Sequence, residues 1–135
     1  MACNAPHWSH ETTFPGTLIS ASQARTFVSD HLVDHRLLYL VDPVRLVVSE
    51  LATNALVHAQ TAFKVSLAAL DEIVLLTVRD DSLSIPVRRA ARAMDAGGRG
   101  LEIVDIISLD WGTNEDEVGS KAVWASFALR RHQEF

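Results

Sequence analysis

The amino-acid sequence predicts an α/β two-layer sandwich, with helices packed on one face of a mixed β-sheet. Two observations lead to this prediction. Helical patterns and strand patterns are interspersed along the chain. Near the middle, a segment with a period of two is followed by turn residues and a second apolar run, which is typical of a hairpin. The 135 residues are about the length of one domain. We expect residues 12–135 to form that domain and residues 1–11 to be a flexible N-terminus.

Two helices are predicted before the period-two segment. In the first, apolar residues recur at three-to-four spacing from Ser20 onward, and Ser20 or Ser22 is a suitable N-cap. The second should begin at Asp42-Pro43, because an N-cap aspartate followed by proline is a typical start signal. It should run to about Ala59, and its apolar positions form one arc on the helix surface.

The strands are predicted from alternation and from turn residues. Apolar residues alternate from Phe63 to Ala69, Asp71-Glu72 supplies a turn, and the nearly all-apolar run from Ile73 to Arg79 is typical of a central strand. Residues 81–99 break the periodicity and are predicted to form a long functional loop. The remaining predicted elements are a short strand at 12–14, a helix at 101–107, and two antiparallel strands at 109–113 and 122–129.

Composition and charge narrow the range of functions. Seventeen acidic against twelve basic residues give a net charge of -5, which argues against a protein that coats nucleic acid or an anionic membrane. Cys3 is the single cysteine, so the chain cannot form an internal disulfide, and a reducing compartment fits best. Because the first ten residues lack a secretory signal pattern, we expect a cytoplasmic protein.

Three segments carry residue types suited to binding and catalysis. Glu50 and Asn54 are four positions apart, so they stack on one side of the second helix at the edge of its apolar arc. Asp80 follows a buried strand, where open sheets tend to bind ligands, and its carboxylate can accept a hydrogen bond from an exocyclic amine. The glycines of GGRGLEIVD (97–105) would let the backbone approach a phosphate at a helix start. Each segment alone also has a purely structural explanation: a surface pair, a solvated turn, and a flexible loop.

Together and in this order, the three segments resemble the Bergerat ATP-binding fold of gyrase, histidine kinases and mismatch-repair proteins. ELATNALVHA (50–59) is similar to the N-box of that superfamily, VRDDS (78–82) to its first adenine-binding box, and GGRGLEIVD to the glycine box at the end of its ATP lid. The WG at 111–112 and GSKAVWASF (119–127) are similar to its last two strands. From Thr12 to about Leu129, the chain looks most like the small anti-sigma-factor serine/threonine kinases.

The resemblance implies a role for each matching residue. Glu50 would be the general base that orients or deprotonates the phosphate acceptor. Asn54 would hold Mg²⁺ through its amide oxygen, with phosphate oxygens and water as the other ligands. Asp80 would accept a hydrogen bond from the adenine amino group. The other nucleotide-binding positions that the two boxes imply are Ser82, Gly98, Arg99, Gly100 and Leu101.

We therefore expect an ATP-dependent, Mg²⁺-dependent serine/threonine protein kinase. It would phosphorylate a serine of an anti-sigma-factor antagonist and regulate a sigma factor by partner switching. The alternative is a protein-interaction module, with or without bound nucleotide, that lacks kinase activity. A sensor histidine kinase is disfavoured because no histidine lies in a phosphoacceptor-type helix. Relatives of this type often form homodimers, and we expect no direct contact with nucleic acid or a membrane.

Overall fold

A computed structural model of the chain describes residues 6–58, 61–80, 102–115 and 120–129. Its elements in chain order are strand β1 (Trp8–Phe14), helix α1 (Ile19–Asp34), helix α2 (Leu38–His58), strand β2 (Phe63–Leu70), strand β3 (Ile73–Asp80), helix α3 (102–107), strand β4 (Asp110–Glu115) and strand β5 (Lys121–Ala128). The strands form one sheet in the order β1-β2-β3-β5-β4. The chain therefore has an α/β fold.

The sheet differs from the prediction in one respect, the direction of its strands. Every strand pair among the described residues is antiparallel, whereas the sequence predicted a mixed sheet. The reason is the position of β5, which lies between β3 and β4. β3 and β4 run in the same direction, but β5 separates them and is antiparallel to both, so no parallel ladder forms among the described strands.

The β2–β3 hairpin has the position and the turn residues that the sequence predicts. Phe63 pairs with Asp80 at the open end, and Leu70 pairs with Ile73 next to the turn. Asp71 adopts a left-handed backbone conformation there, with φ of 51°, which aspartate tolerates better than most residues. β3 is the third of five strands, as predicted for the most apolar run.

Two elements begin earlier than predicted. β1 begins at Trp8, so residues 8–11 are strand and not part of a flexible N-terminus. α2 begins at Leu38, so Asp42 is not its N-cap and Pro43 lies inside the helix. Packing explains the earlier start of α2, because the buried side chain of Leu40 extends the apolar stripe of the helix beyond Asp42.

Ser20 does not cap α1, contrary to prediction. The helix begins at Ile19, and its N-cap residue, Leu18, makes no side-chain capping hydrogen bond. The Ser20 side chain is fully buried, and its hydroxyl donates to the carbonyl oxygen of Pro15 at 2.6 Å. Ser20 therefore ties α1 to the turn that precedes it. Ser22, the other predicted cap, lies exposed inside the helix.

One hydrophobic core lies between the sheet and the helices. Alternate residues of β2 and β3 are buried in it, and Val104 of α3 is buried in the same cluster. α1 packs on β1 and on α2, whereas α2 packs on β3 and β5. The described helices thus cover one face of the sheet. Among the residues described, no helix is both long enough and apolar enough to cross a membrane.

Candidate functional site

Glu50 and Asn54 lie on the edge of α2 that faces away from α1. Both residues are half-buried, as expected for the border of the apolar stripe. The other border carries Ser49, whose hydroxyl accepts a hydrogen bond from Nη1 of Arg25 in α1 at 3.0 Å. At roughly 100° per residue, Ser49 and the Glu50–Asn54 pair fall on opposite sides of the buried stripe. α1 therefore packs along one edge of α2 and does not cover the edge that carries Glu50 and Asn54.

Asp80 is a buried carboxylate at the end of the central strand. It is the last residue of β3 and is only 5% exposed. Buried and half-buried residues alternate along the strand from Ile73, so the Asp80 side chain lies on the helix-covered face. α2 packs on β3, so Asp80 lies on the strand face that this helix covers, and Glu50 and Asn54 lie on one edge of the same helix.

A polar network joins the end of β3 to the start of β5. Nη1 of Arg79 donates to Oγ of Ser120 at 2.9 Å, and Oγ of Ser120 donates to the backbone oxygen of Asp80 at 3.4 Å. Lys121 occupies the register position opposite Asp80. Ser120 is not among the predicted site residues, because no local pattern in the sequence indicates its contact with Asp80. Its contact with Asp80 spans 40 positions and depends on the β3–β5 pairing.

The glycine-box segment is described only in its second half. Val104 of α3 is fully buried in the core. Asp105 accepts a hydrogen bond through Oδ1 from Nε1 of Trp111 at 3.0 Å. α3 is therefore attached both to the core and to β4. The predicted nucleotide-binding positions that lie outside the described residues are Ser82, Gly98, Arg99, Gly100 and Leu101.

Asn54 is the described residue that suits the implied metal. Within the described parts of the chain, no group of three or more His, Cys, Asp or Glu side chains could hold a metal ion. Mg²⁺ that is bound beside phosphates needs fewer protein ligands, since phosphate oxygens and water supply most of its octahedral coordination. The Asn54 amide is half-exposed and makes no hydrogen bond to another described side chain or backbone group. The amide oxygen of Asn54 is a suitable ligand for Mg²⁺, and its accessibility fits a single contact to the hydrated ion.

Two surface depressions that described residues line lie away from this site. One of about 270 Å³ lies between α1 and α2 on the Ser49 edge, where Arg25 and Arg45 line it. Another lies beside the β2–β3 turn, at the opposite end of β3 from Asp80. Neither contains Glu50, Asn54 or Asp80.

The comparisons with known proteins add nothing to the site. No protein-family model matches the chain, and no curated protein matches its sequence.

Proposed function

We propose that this protein is an ATP-dependent serine/threonine kinase of the anti-sigma-factor type, built on the Bergerat ATP-binding fold. It transfers the γ-phosphoryl group of ATP to a serine of an anti-sigma-factor antagonist and regulates a sigma factor by partner switching. One observation carries the proposal. Glu50 and Asn54 are half-buried on one edge of α2, and Asp80 is buried on the face of β3 against which α2 packs, and these residues come from two segments that resemble separate boxes of that fold.

Asp80 supports recognition of the adenine ring. An ionised carboxylate is only an acceptor of hydrogen bonds, so it selects a donor such as an exocyclic amine. Its burial at the end of β3 keeps competing water away and limits the directions from which a ligand can approach. One charge-assisted hydrogen bond of this kind contributes about 1.5–3 kcal/mol.

Asn54 supports binding of the phosphates through Mg²⁺. Its half-exposed side chain lies on the edge of α2 away from α1, and α2 packs on β3, the strand that ends at Asp80. A nucleotide with its adenine at Asp80 would extend its phosphates towards this edge of α2. When bound, Mg²⁺ neutralises the charge of the phosphates and orients them for in-line displacement.

Glu50 supports the transfer step. It lies one helical turn before Asn54 on the same edge, so its carboxylate borders the region assigned to the phosphates. Glu50 takes the proton of the serine hydroxyl while the serine oxygen forms a bond to Pγ. The bond between Pγ and the β–γ bridging oxygen breaks, and ADP leaves with that oxygen.

The decisive experiment compares Glu50→Gln with Asn54→Ala, using transfer of labelled γ-phosphate to the cognate antagonist and nucleotide affinity as readouts. Glu50→Gln should keep most of the ATP affinity and slow transfer by roughly 10²–10⁴-fold, because it removes only the base. Asn54→Ala should lower both quantities, because Mg²⁺ acts in binding and in transfer. Thr53→Ala is the matched control, since Thr53 is exposed on the same turn of α2 and has no assigned role.

The same experiment distinguishes the kinase from an interaction module. Undiminished transfer by Glu50→Gln would remove Glu50 from the catalytic role. Wild-type protein that binds ATP tightly but never labels its proven antagonist would be a nucleotide-dependent binding module. Protein that binds no ATP at millimolar concentration would contradict the assignment to the Bergerat fold as a nucleotide-binding domain.

A further inference from the structure

Three histidines and a tryptophan form a cluster where β1 packs against the end of α1. Trp8 and His10 belong to β1, His31 lies in the last turn of α1, and His35 follows that helix. We call these four residues the histidine cluster. The rings of Trp8 and His35 stack with centroids 3.9 Å apart, and those of His10 and His31 stack at 3.8 Å.

A hydrogen bond between two imidazoles joins the two sides of the cluster. Nε2 of His10 and Nε2 of His35 are 2.9 Å apart. This bond requires that one ring donates a proton from Nε2 and that the other accepts it with a lone pair. If both rings are protonated, both Nε2 atoms carry hydrogen, so the bond is lost and two positive charges face each other. The contact therefore tolerates one charge but not two.

The charged groups near the cluster offset only part of the positive charge that the histidines gain in acid. α1 contributes the exposed carboxylates of Asp30 and Asp34, and the turn after α1 adds the exposed cation of Arg36. The β2 residues that pair with the cluster residues of β1 are apolar. Glu11 alternates to the other face of β1, where its carboxylate lies 3.8 Å from Nζ of Lys64. Two exposed aspartates thus face as many as three imidazolium charges.

The cluster also favours the neutral form of its third histidine. Burial lowers the pKa of His31, the neighbouring His10 lowers it further, and Asp34 and Asp30 oppose this only partly. Stacking holds the His31 ring on the His10 ring, so charge on one ring opposes charge on the other. Protonation in acid therefore weakens the contact from the β1 side, through His10, and from the α1 side, through His31.

We propose that the histidine cluster is an acid-sensitive latch, which holds β1 against α1 at neutral pH and releases it when a second histidine is protonated. Among the strands that the structure describes, β1 lies at an edge of the sheet and pairs only with β2. Phe14, at the end of β1 away from the cluster, belongs to the hydrophobic core, so the release concerns the Trp8–His10 end of the strand and would expose the edge of β2 there. The latch is therefore a local switch and does not require unfolding of the core.

Amide hydrogen exchange on the full chain tests the latch, with the protection of β1 compared at pH 7.5 and pH 5.0 after correction for intrinsic rates. β4 is an internal control, because it is the other edge strand and contains no histidine. Between the two pH values, the protection of β1 should fall by about 10-fold more than that of β4. His10→Gln and His35→Gln should each abolish this difference, because glutamine does not titrate. His7→Gln, which changes an exposed histidine just outside β1, should leave it intact.

Two results would overturn the proposal. One is an equal response of β1 and β4 to acid in the wild type. The other is a β1 response that persists unchanged in both glutamine variants of the cluster. If a variant fails to fold, the wild-type comparison still decides, because both strands are measured in the same molecule.

Discussion

Gly112 and Trp124 pair directly across β4 and β5, and a Cβ atom at position 112 would lie 2.8 Å from Cζ2 of the Trp124 indole. Side-chain carbons do not approach a ring this closely without displacement. The indole can therefore lie against β4 only because residue 112 has no side chain. This contact gives a packing reason for the glycine in the WG pair at 111–112.

We predict that Gly112→Ala destabilises the protein. The new methyl group has to displace the Trp124 ring, so the free energy of unfolding should fall by about 1–3 kcal/mol. Denaturant unfolding measures this change. In a Trp124→Ala background the ring is absent, and the same substitution at Gly112 should then cost little. An equal cost in both backgrounds would show that the indole is not the cause.

We predict that Asp80→Asn reduces the thermal stabilisation by ATP. In the wild type, Mg·ATP at 100 times its dissociation constant should stabilise the fold by about 2.7 kcal/mol and raise Tm by about 10 °C. The loss of one charge-assisted hydrogen bond should weaken binding roughly 10–150-fold. At the same ATP concentration, the rise in Tm should fall to about half or less.

Asp71→Asn is the matched control for Asp80→Asn. Asp71 lies at the other end of β3, is exposed, and has a left-handed φ that asparagine also adopts readily. Its substitution should leave the ATP-dependent shift unchanged. If ATP raises Tm equally in the wild type and in Asp80→Asn, the adenine role of Asp80 is wrong.

We predict that Ser20→Ala destabilises α1 and its preceding turn, whereas Ser22→Ala does not. The Ser20 hydroxyl is buried and bonds to Pro15, so its removal should cost about 1 kcal/mol in the free energy of unfolding. Ser22 is exposed inside the helix, where alanine has the higher helix propensity, so its substitution should be neutral or slightly stabilising. Equal losses for the two variants in denaturant unfolding would contradict this assignment.

We predict that acid lowers global stability partly through His31. Burial, aided by the nearby His10, lowers the pKa of His31 in the folded state. The unfolded chain therefore binds more protons below about pH 6.5, so this contribution to stability is complete above that pH. It is lost as the pH falls through the lowered folded-state pKa. Urea midpoints from pH 7.5 to pH 5 should show this fall.

His31→Phe is the matching variant, because phenylalanine keeps an aromatic ring beside His10 and Phe27 but does not titrate. Its urea midpoint should depend less on pH than that of the wild type over the same range. The same pH dependence in both proteins would assign the loss of stability in acid to other groups.

Local sequence patterns predicted the elements whose geometry is local. The β2–β3 hairpin follows from alternation from Phe63 onward and from turn residues at 71–72, because side-chain period and turn conformation are properties of neighbouring residues. The i, i+4 spacing likewise predicted that Glu50 and Asn54 share an edge of a helix. Both predictions are confirmed. The roles of these two residues, and of Ser82 and the glycine box, stay predictions.

Local signals failed where a distant contact was stronger. The capping signals at Ser20 and Asp42 predicted helix starts that the structure does not have. Leu40 gains more from burial in the core than Asp42 would gain as a cap, since burial of a leucine side chain contributes about 1.5–3 kcal/mol and a cap typically about 1 kcal/mol. Similarly, β1 begins before Thr12 where Trp8 and His10 stack on rings at the end of α1, which are distant in sequence.

The sequence by itself determined the period of each segment and the spacing of its chemical groups. Only the tertiary structure decided which edge of α2 is clear of α1, which side chain meets Arg79, and which rings surround His10. In each case the partners come from separate elements, as with Ser120 and Asp80 at the junction of β5 and β3. Their meeting depends on strand order and helix packing, which follow from burial of the whole core rather than from the residues on either side of each partner.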